Sequence, residues 1–389
     1  MNTFAPIDQS FTVSYNYKLF FTEGLFSIDN PLFSGILATY TSEGATKVLF
    51  VIDEGVSQKH PQLQDQIVAY CANYKKIIQF QGSILVPGGE QCKNGSEQVD
   101  AVLKAIEQKR ICRHSFVIAI GGGAVIDMVG YAAAIAHRGV KLIRIPTTVL
   151  SQNDSAVGVK NSVNAFHKKN FLGTFAPPYA IINDLCFLST LSQRDWISGI
   201  SEAVKVALIK DSTFYEFIKS KATLLRKREM EPMHYVIYKC AQLHMEHIAL
   251  GGDPFESGSS RPLDFGHWAA HKLEYMTNYE LRHGEAVAIG MAIDITYAYL
   301  IGLITEKTHK GILEVMMSLG FNLHIPLATD AEIDQLLKGI EEFREHLGGQ
   351  LTITLISGIG IKKDVHEIDE SLMRKAIAMV GSLNSVKAV

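Results

Sequence analysis

Residues 116–136 read FVIAIGGGAVIDMVGYAAAIA, and this stretch decides the fold. Phe116–Ile120 is a short apolar run of the kind buried on both faces of a parallel sheet. Gly121-Gly122-Gly123 breaks it, and the small residues through Ala136 continue with the texture of a helix. A strand that turns through glycines into a helix is the repeating unit of an open α/β sheet. Glycines at such a turn let the backbone approach a phosphate, and the helix start offers unpaired N–H groups. The loop is G-G-G-x-x-x-D and not G-x-G-x-x-G, so by itself the turn reads equally well as a tight connection.

The same alternation extends on both sides. Val48–Ile52 (VLFVI) is a second buried strand, closing on Asp53, where a carboxylate can hold ribose hydroxyls. Leu63–Tyr74 and Asn94–Gln108 have helical period, and Ser83–Val86 is a strand closed by Pro87-Gly88-Gly89. Lys141–Ile145 and Tyr179–Ile182 bring the strands to at least five. Beyond Asp184 helical period dominates, with stops at Gly251-Gly252-Asp253-Pro254, Gly320 and Pro326, and only Leu351–Ile356 reads as a strand. The expected architecture is α/β plus α. A Rossmann-like parallel-sheet domain spans 1–188, and a mainly helical domain spans 189–389.

Composition narrows the function. The 389 residues carry 37 Lys+Arg against 40 Asp+Glu, a balance that gives no electrostatic reason to expect nucleic acid. The five cysteines are irregularly spaced with no C-x-x-C, as free thiols in a reducing cytoplasm would be. The N-terminus lacks the charged start and apolar run of a signal peptide, and the most apolar window is interrupted by Asp127 and glycines. A cytoplasmic enzyme with no membrane or nucleic-acid partner is expected.

Candidate chemistry falls in two places. His267 and His271 stand i,i+4, so both rings project from one helix face, with His283 close behind. Such a group binds a divalent metal when a carboxylate converges on it, and Glu202 is available. Glu202 and Lys205 at i,i+3 read equally as a helical ion pair. Asp154, Lys160, Lys168, Lys169 and Asn170 lie in a Ser/Asn/Gly-rich segment, read as a loop, that suits a phosphate or simply solvent.

The ordered runs GGGAVIDMVGYAAAIAHRG, IPTTVLSQNDSAVGVKNSVN, KKNFLG, SEAVKVALIKD, DFGHWAAHKLE and HGEAVAIGM resemble the 3-dehydroquinate synthases and related sugar-phosphate cyclases. The resemblance runs from about Asp53 to Met291 and implies bound NAD, a Zn2+ (or Co2+) ion and a homodimer. It implies Glu202, His267 and His283 as metal ligands, with His271 facing the substrate phosphate instead. Asp53, Glu90, Lys93, Gly122, Gly123, Asp127, Thr147, Thr148 and Thr190 fall on NAD-holding positions. Asp154, Lys160, Asn170 and Lys205 fall on substrate-contacting positions, Lys169 stands among both groups, and Arg138 reaches a neighbouring subunit's site. The implied reaction oxidises an alcohol of a seven-carbon sugar phosphate, eliminates phosphate, returns the hydride and closes a carbocycle by an aldol step.

The chain departs from the synthase pattern where a substrate carboxylate is gripped. Gly158-Val159-Lys160-Asn161 stands for G-G-K-T, and His244 stands near the position of a lysine. Gly258-Ser-Ser-Arg-Pro-Leu-Asp264 replaces G-L-R-x-x-L-N, so Arg261 is displaced and Asn has become Asp264. A late lysine-rich stretch is replaced by Phe343-Arg-Glu-His-Leu-Gly-Gly349. A lost cation and a gained anion disfavour a carboxylate ligand. The pattern resembles the branch that cyclises sedoheptulose 7-phosphate to valiolone-type cyclitols, with Asp264 at the substrate. The alternatives are a true 3-dehydroquinate synthase, a metal-dependent polyol dehydrogenase that releases NADH, and a non-enzymatic binding protein.

Overall fold

The computed structural model of the chain describes residues 4–40, 44–166, 168–251, 254–255, 262–346 and 349–383. Its first half is a six-stranded, wholly parallel sheet built from β1 (Lys18–Thr22), β2 (Thr46–Asp53), β3 (Ile78–Val86), β4 (Phe116–Gly121), β5 (Lys141–Pro146) and a later strand. The hairpin β6 (Lys160–Ala165) and β7 (Lys168–Phe175) intervenes before that last strand, β8 (Ala180–Asp184). The order is β1-β8-β5-β4-β2-β3. From β2 the chain runs one way to β3 and the other way to β4, so the switch point lies between β2 and β4. Ligands of such sheets bind outside the strand ends at this crevice.

Two apolar layers sandwich the sheet because alternate residues face opposite sides. Val117 and Ala119 of β4 join Val125, Ile126 and Val129 of the following helix on one face. Phe116, Ile118 and Ile120 join Phe33, Phe50 and Tyr70 on the other. The second half is mainly helical around its own core, in which Trp196, Trp268 and Phe265 are fully or almost fully buried. It includes helices Ile200–Lys210, Met230–Leu250, His267–Met276 and His283–Leu300. Among the described residues, no helix is long and apolar enough to cross a membrane.

Four elements differ from the sequence reading. β1 pairs in parallel at the sheet edge, where it is half exposed and therefore lacks a continuous apolar run. Most of the segment from Asp154 to Asn170 read as a loop belongs to the antiparallel hairpin β6–β7, whose buried positions are largely polar (Asn161, Ser162) and so give no apolar alternation. The late strand, β9 (Ile353–Gly358), has a partner in β10 (Ile361–Val365), a largely exposed and charged strand. The helix expected from Asn94 starts at Glu97, after a short helical turn at Glu90–Lys93.

Candidate active site

A cleft of about 2580 Å³ opens between the C-terminal edge of the sheet and the helical half. A single small-molecule pocket occupies roughly 300–1000 Å³, so there is room for a dinucleotide and a second ligand. Of the described residues given roles from sequence, all line this cleft except Glu202 and Arg138. Glu202 is fully buried beside it, and Arg138 stands exposed on a turn elsewhere. Arg261 lies outside the described residues.

At the sheet end, Asp53 caps the helix that follows β2 and accepts the Gly55 N–H at 2.8 Å. Burial raises its carboxyl pKa, and backbone N–H groups, Gly122's among them, offset part of the rise. Gly88 packs so closely on this carboxylate that a Cβ would meet it. Gly122 caps helix Gly123–Ile135 without a side-chain bond, leaving the first-turn N–H groups to the cleft. Thr147 donates its N–H to Gly121 O at 3.0 Å, and Thr148 pairs with Ser151 Oγ at 2.8 Å. Across the cleft Thr190 meets His60 Nε2 at 2.9 Å.

Side chains anchor the hairpin β6–β7 to the sheet. Lys93 is 2% exposed, and its ammonium donates to Asp127 at 2.9 Å, to Ser162 Oγ at 3.3 Å and to Asn170 Oδ1. All three donors of the ammonium thus have protein acceptors. Glu90 accepts from Asn164 at 3.0 Å. Fully buried Arg144 in β5 donates to the carbonyl oxygens of Ala156 (2.8 Å), Gly158 (2.6 Å) and Lys160 (3.1 Å) and to Asn161 Oδ1 (2.7 Å). One guanidinium fork therefore fixes the turn that presents Lys160 to the cleft.

A π-helical turn, Ser151–Ser155, carries Asp154 toward the helical half. Gln152 holds it by donating to Pro146 O and Asp184 O, and Asn153 by donating to Gly199 O at 2.8 Å. Asp154 lies 2.6 Å from His244 Nδ1. Burial alone would raise the Asp154 carboxyl, but His244 and Lys205 hold it well below the usual range. Lys205 is ion-paired with Glu202, one turn before it. Burial works against its charge, yet Glu202, Asp154 and Asp264 together hold its pKa above the ordinary value.

The histidines converge because two helices meet at glycines. A Cβ on Gly266 would come within 2.7 Å of Met291 N, and one on Gly290 would run into Gly266 O. This close approach sets the His267 and His283 ring centroids 5.4 Å apart. One ligand atom from each of Glu202, His267 and His283 lies within 4.8 Å of the others. His267 Nδ1 faces Phe265 O at 3.1 Å, which leaves Nε2 for the centre. Burial, then Lys205 and the neighbouring rings, keep this imidazole neutral. Glu202 Oε1 is buried with no hydrogen-bond donor, so the donor set fits a divalent cation.

A second set, His271, Glu274 and His283, also clusters. Glu274, however, already accepts from His283 Nδ1 at 3.1 Å and from Lys169 at 2.8 Å. The first set, with a buried unpartnered carboxylate oxygen, suits an ion better. Burial alone would raise the Glu274 carboxyl, but His283 and Lys169 hold it well below the usual range.

Sequence reasoning missed the roles of Glu274, Arg144 and the Asp154–His244 pair. Glu274 had a signal, since it stands seven residues after His267 and so two turns along the same helix face.

Comparison with known proteins follows this geometry. The family profile described as 3-dehydroquinate synthase N-terminal matches residues 83–198, and the C-terminal profile matches 199–343. A 3-dehydroquinate synthase of Shewanella sp. (strain MR-4) is 31% identical over 333 residues, 85% of this chain and 89% of the relative. ValA, a 2-epi-5-epi-valiolone synthase from Streptomyces hygroscopicus subsp. jinggangensis 5008 solved with NAD+ and Zn2+, superposes with a TM-score of 0.86 at 29% identity. That match covers 96% of this chain and 99% of ValA. A 2-deoxy-scyllo-inosose synthase solved with carbaglucose-6-phosphate, NAD+ and Co2+ shares the fold, with a TM-score of 0.74 at 23% identity over 92% of this chain and 95% of its own.

Proposed function

The chain belongs to the 3-dehydroquinate synthase family, and we propose that within it the protein is a sugar-phosphate cyclase acting on sedoheptulose 7-phosphate. The observation that carries this reading is the charge around Lys205. Glu202, Asp154 and Asp264 all act on that one ammonium, so its charge is already committed to carboxylates of the protein. A substrate carboxylate needs excess cation there, whereas a hydroxymethyl group needs only hydrogen-bond partners. The likeness to the valiolone synthase ValA supports the same choice.

We assign NAD to the sheet end, with Asp53 on the ribose hydroxyls and the Gly122-Gly123 turn, where the Gly123 N–H opens the helix, at the pyrophosphate. Glu90, Lys93, Asp127, Thr147, Thr148, Lys169 and Thr190 surround it. When bound, NAD supplies a hydride acceptor that can return the hydride. Zn2+ or Co2+ is assigned to Glu202, His267 and His283, where it supplies a Lewis acid for substrate oxygens.

The chain's own groups bind and orient the sugar. Lys160, Asn170 and His271 grip the phosphate. Asp154, braced by His244, and Asp264 accept hydrogen bonds from hydroxyls. Lys205 stays protonated and donates to a ring oxygen. Arg138 follows His137 in left-handed backbone, at φ 62° and 51°, on an exposed turn. We assign it to the neighbouring cleft of a homodimer.

The test incubates purified protein, NAD+ and Zn2+ or Co2+ with sedoheptulose 7-phosphate, or with the seven-carbon sugar phosphate that carries a carboxylate. Phosphate release and a carbocycle from the first alone, with no net NADH, is the expected result. Steady NADH formation would mark a polyol dehydrogenase instead. The second reading, a true 3-dehydroquinate synthase, is favoured by the names of the curated relatives. Dehydroquinate from the second substrate would establish it.

A further inference from the structure

Glu274 joins two parts of the cleft that come from different halves of the chain. It lies near the end of helix His267–Met276, and only 4% of its side chain is exposed. One oxygen accepts from His283 Nδ1 at 3.1 Å, and the other from Lys169 of β7 at 2.8 Å. We propose that Glu274 is a positioning residue that sets the metal-binding triad and the lysine-bearing hairpin together. This rests on the metal assignment made above to Glu202, His267 and His283.

The chemistry follows from what each group can donate. An ionised carboxylate only accepts, so His283 must carry its proton on Nδ1. Its Nε2, 3.9 Å from Glu202 Oε1, is then the lone-pair nitrogen that faces the triad. A carboxylate behind a ligating histidine fixes ring tautomer and orientation in this way. The same carboxylate holds Lys169 across the cleft, while Lys93 holds the neighbouring Asn170 from the sheet side. The hairpin is therefore pinned from both halves. It has only two strands, and such ribbons are marginal on their own.

Glu274→Gln tests both roles with little change of volume. An amide has one accepting oxygen and one donating nitrogen, so it cannot accept from His283 and Lys169 at once. If it serves Lys169, its NH2 faces Nδ1 and drives the proton to Nε2, the wrong tautomer for a ligand. If it serves His283, its NH2 faces an ammonium.

The full-length protein is measured for Co2+ affinity by chelator competition and for amide hydrogen exchange across Lys160–Ala165 and Lys168–Phe175. Glu274→Gln is expected to weaken Co2+ binding roughly ten- to hundredfold and to speed exchange in the hairpin. Lys169→Met supplies the second arm, speeding hairpin exchange while Co2+ affinity holds. Wild-type values for Glu274→Gln in both measurements overturn the proposal, and a change in only one overturns the coupling. Unmodified protein that binds no Co2+ overturns the metal assignment itself, a result distinct from either.

Discussion

Gly266 and Gly290 meet backbone to backbone, with no space for a Cβ on Gly290 short of the Gly266 carbonyl oxygen. The contact lies one residue before His267 and seven residues into the helix that His283 begins, so it sets how far apart the two rings stand.

Gly290→Ala is therefore expected to cost about 3 kcal/mol of stability through overpacking and to weaken Co2+ binding by separating the rings. Gly311→Ala is the control. It sits half-buried in helix Glu306–Leu319 with nothing near its Cβ position and should stabilise by roughly 0.5–1 kcal/mol. Urea melts of the metal-free proteins and a Co2+ titration check both.

His267→Ala should abolish stoichiometric Zn2+ or Co2+ together with activity and leave the fold intact. The ring is buried and neutral, ready to ligate, and its loss leaves only Glu202 and His283. Metal analysis of the purified variant checks this, and an unchanged content would remove the assignment.

Asp264→Asn should relax the exclusion of a carboxylate-bearing substrate without reversing it. The change removes one anion beside Lys205, but Asp154 and Glu202 remain. Selectivity that rests on several charges is rarely rebuilt by one substitution. The ratio of kcat/KM for the two seven-carbon phosphates should shift toward the carboxylate, yet still favour sedoheptulose 7-phosphate.

Asp294 gives a pH signature. It is fully buried, accepting from Trp268 Nε1 at 2.8 Å and Gly266 N–H at 3.0 Å, and burial raises its pKa to about 7. Between about pH 4 and 7 the unfolded chain has released this proton while the folded chain keeps it. Its contribution to stability is therefore full below about pH 4 and is lost as pH rises through 7. The loss is on the order of 4 kcal/mol. Melts of wild type and Asp294→Asn across this range should differ in slope by that contribution.

Arg144→Met should destabilise by about 3 kcal/mol or more, because three carbonyl oxygens and Asn161 Oδ1 lose their donor. Loosening the turn that carries Lys160 should also raise KM for the sugar phosphate more than it lowers kcat. Steady-state kinetics below the melting temperature check that split.

What was legible in the sequence follows the physics of burial. Phe116–Ile120 and Val48–Ile52 are buried on both faces, so their apolar runs announce central parallel strands. β1 and β10 sit at edges, where pairing and not burial makes the strand, and their sequences carry little signal. The His267–His271 spacing shows two rings on one helix face, but the convergence of Glu202 and His283 depends on helix contacts at Gly266 and Gly290. Pairs such as Asp154–His244 and Lys169–Glu274 join residues far apart in the chain. No local pattern encodes these pairings: composition marked Asp154 and Lys169, the resemblance added His244, and neither gave Glu274.

The hairpin tether also has a consequence for synthesis. Lys169 leaves the ribosome 105 residues before Glu274. At translation speeds of about 5–20 residues per second, that is a delay on the order of 5–20 s. During that interval the nascent sheet domain can fold around its own two apolar layers, but its lysine ribbon is held from one side only. The hairpin is thus the last part of the sheet half to be tethered from both sides, and that happens when the histidine helix arrives. A chain stalled before that helix would present a folded sheet whose hairpin is held from the sheet side, by Lys93 and Arg144, with Lys169 lacking its Glu274 partner.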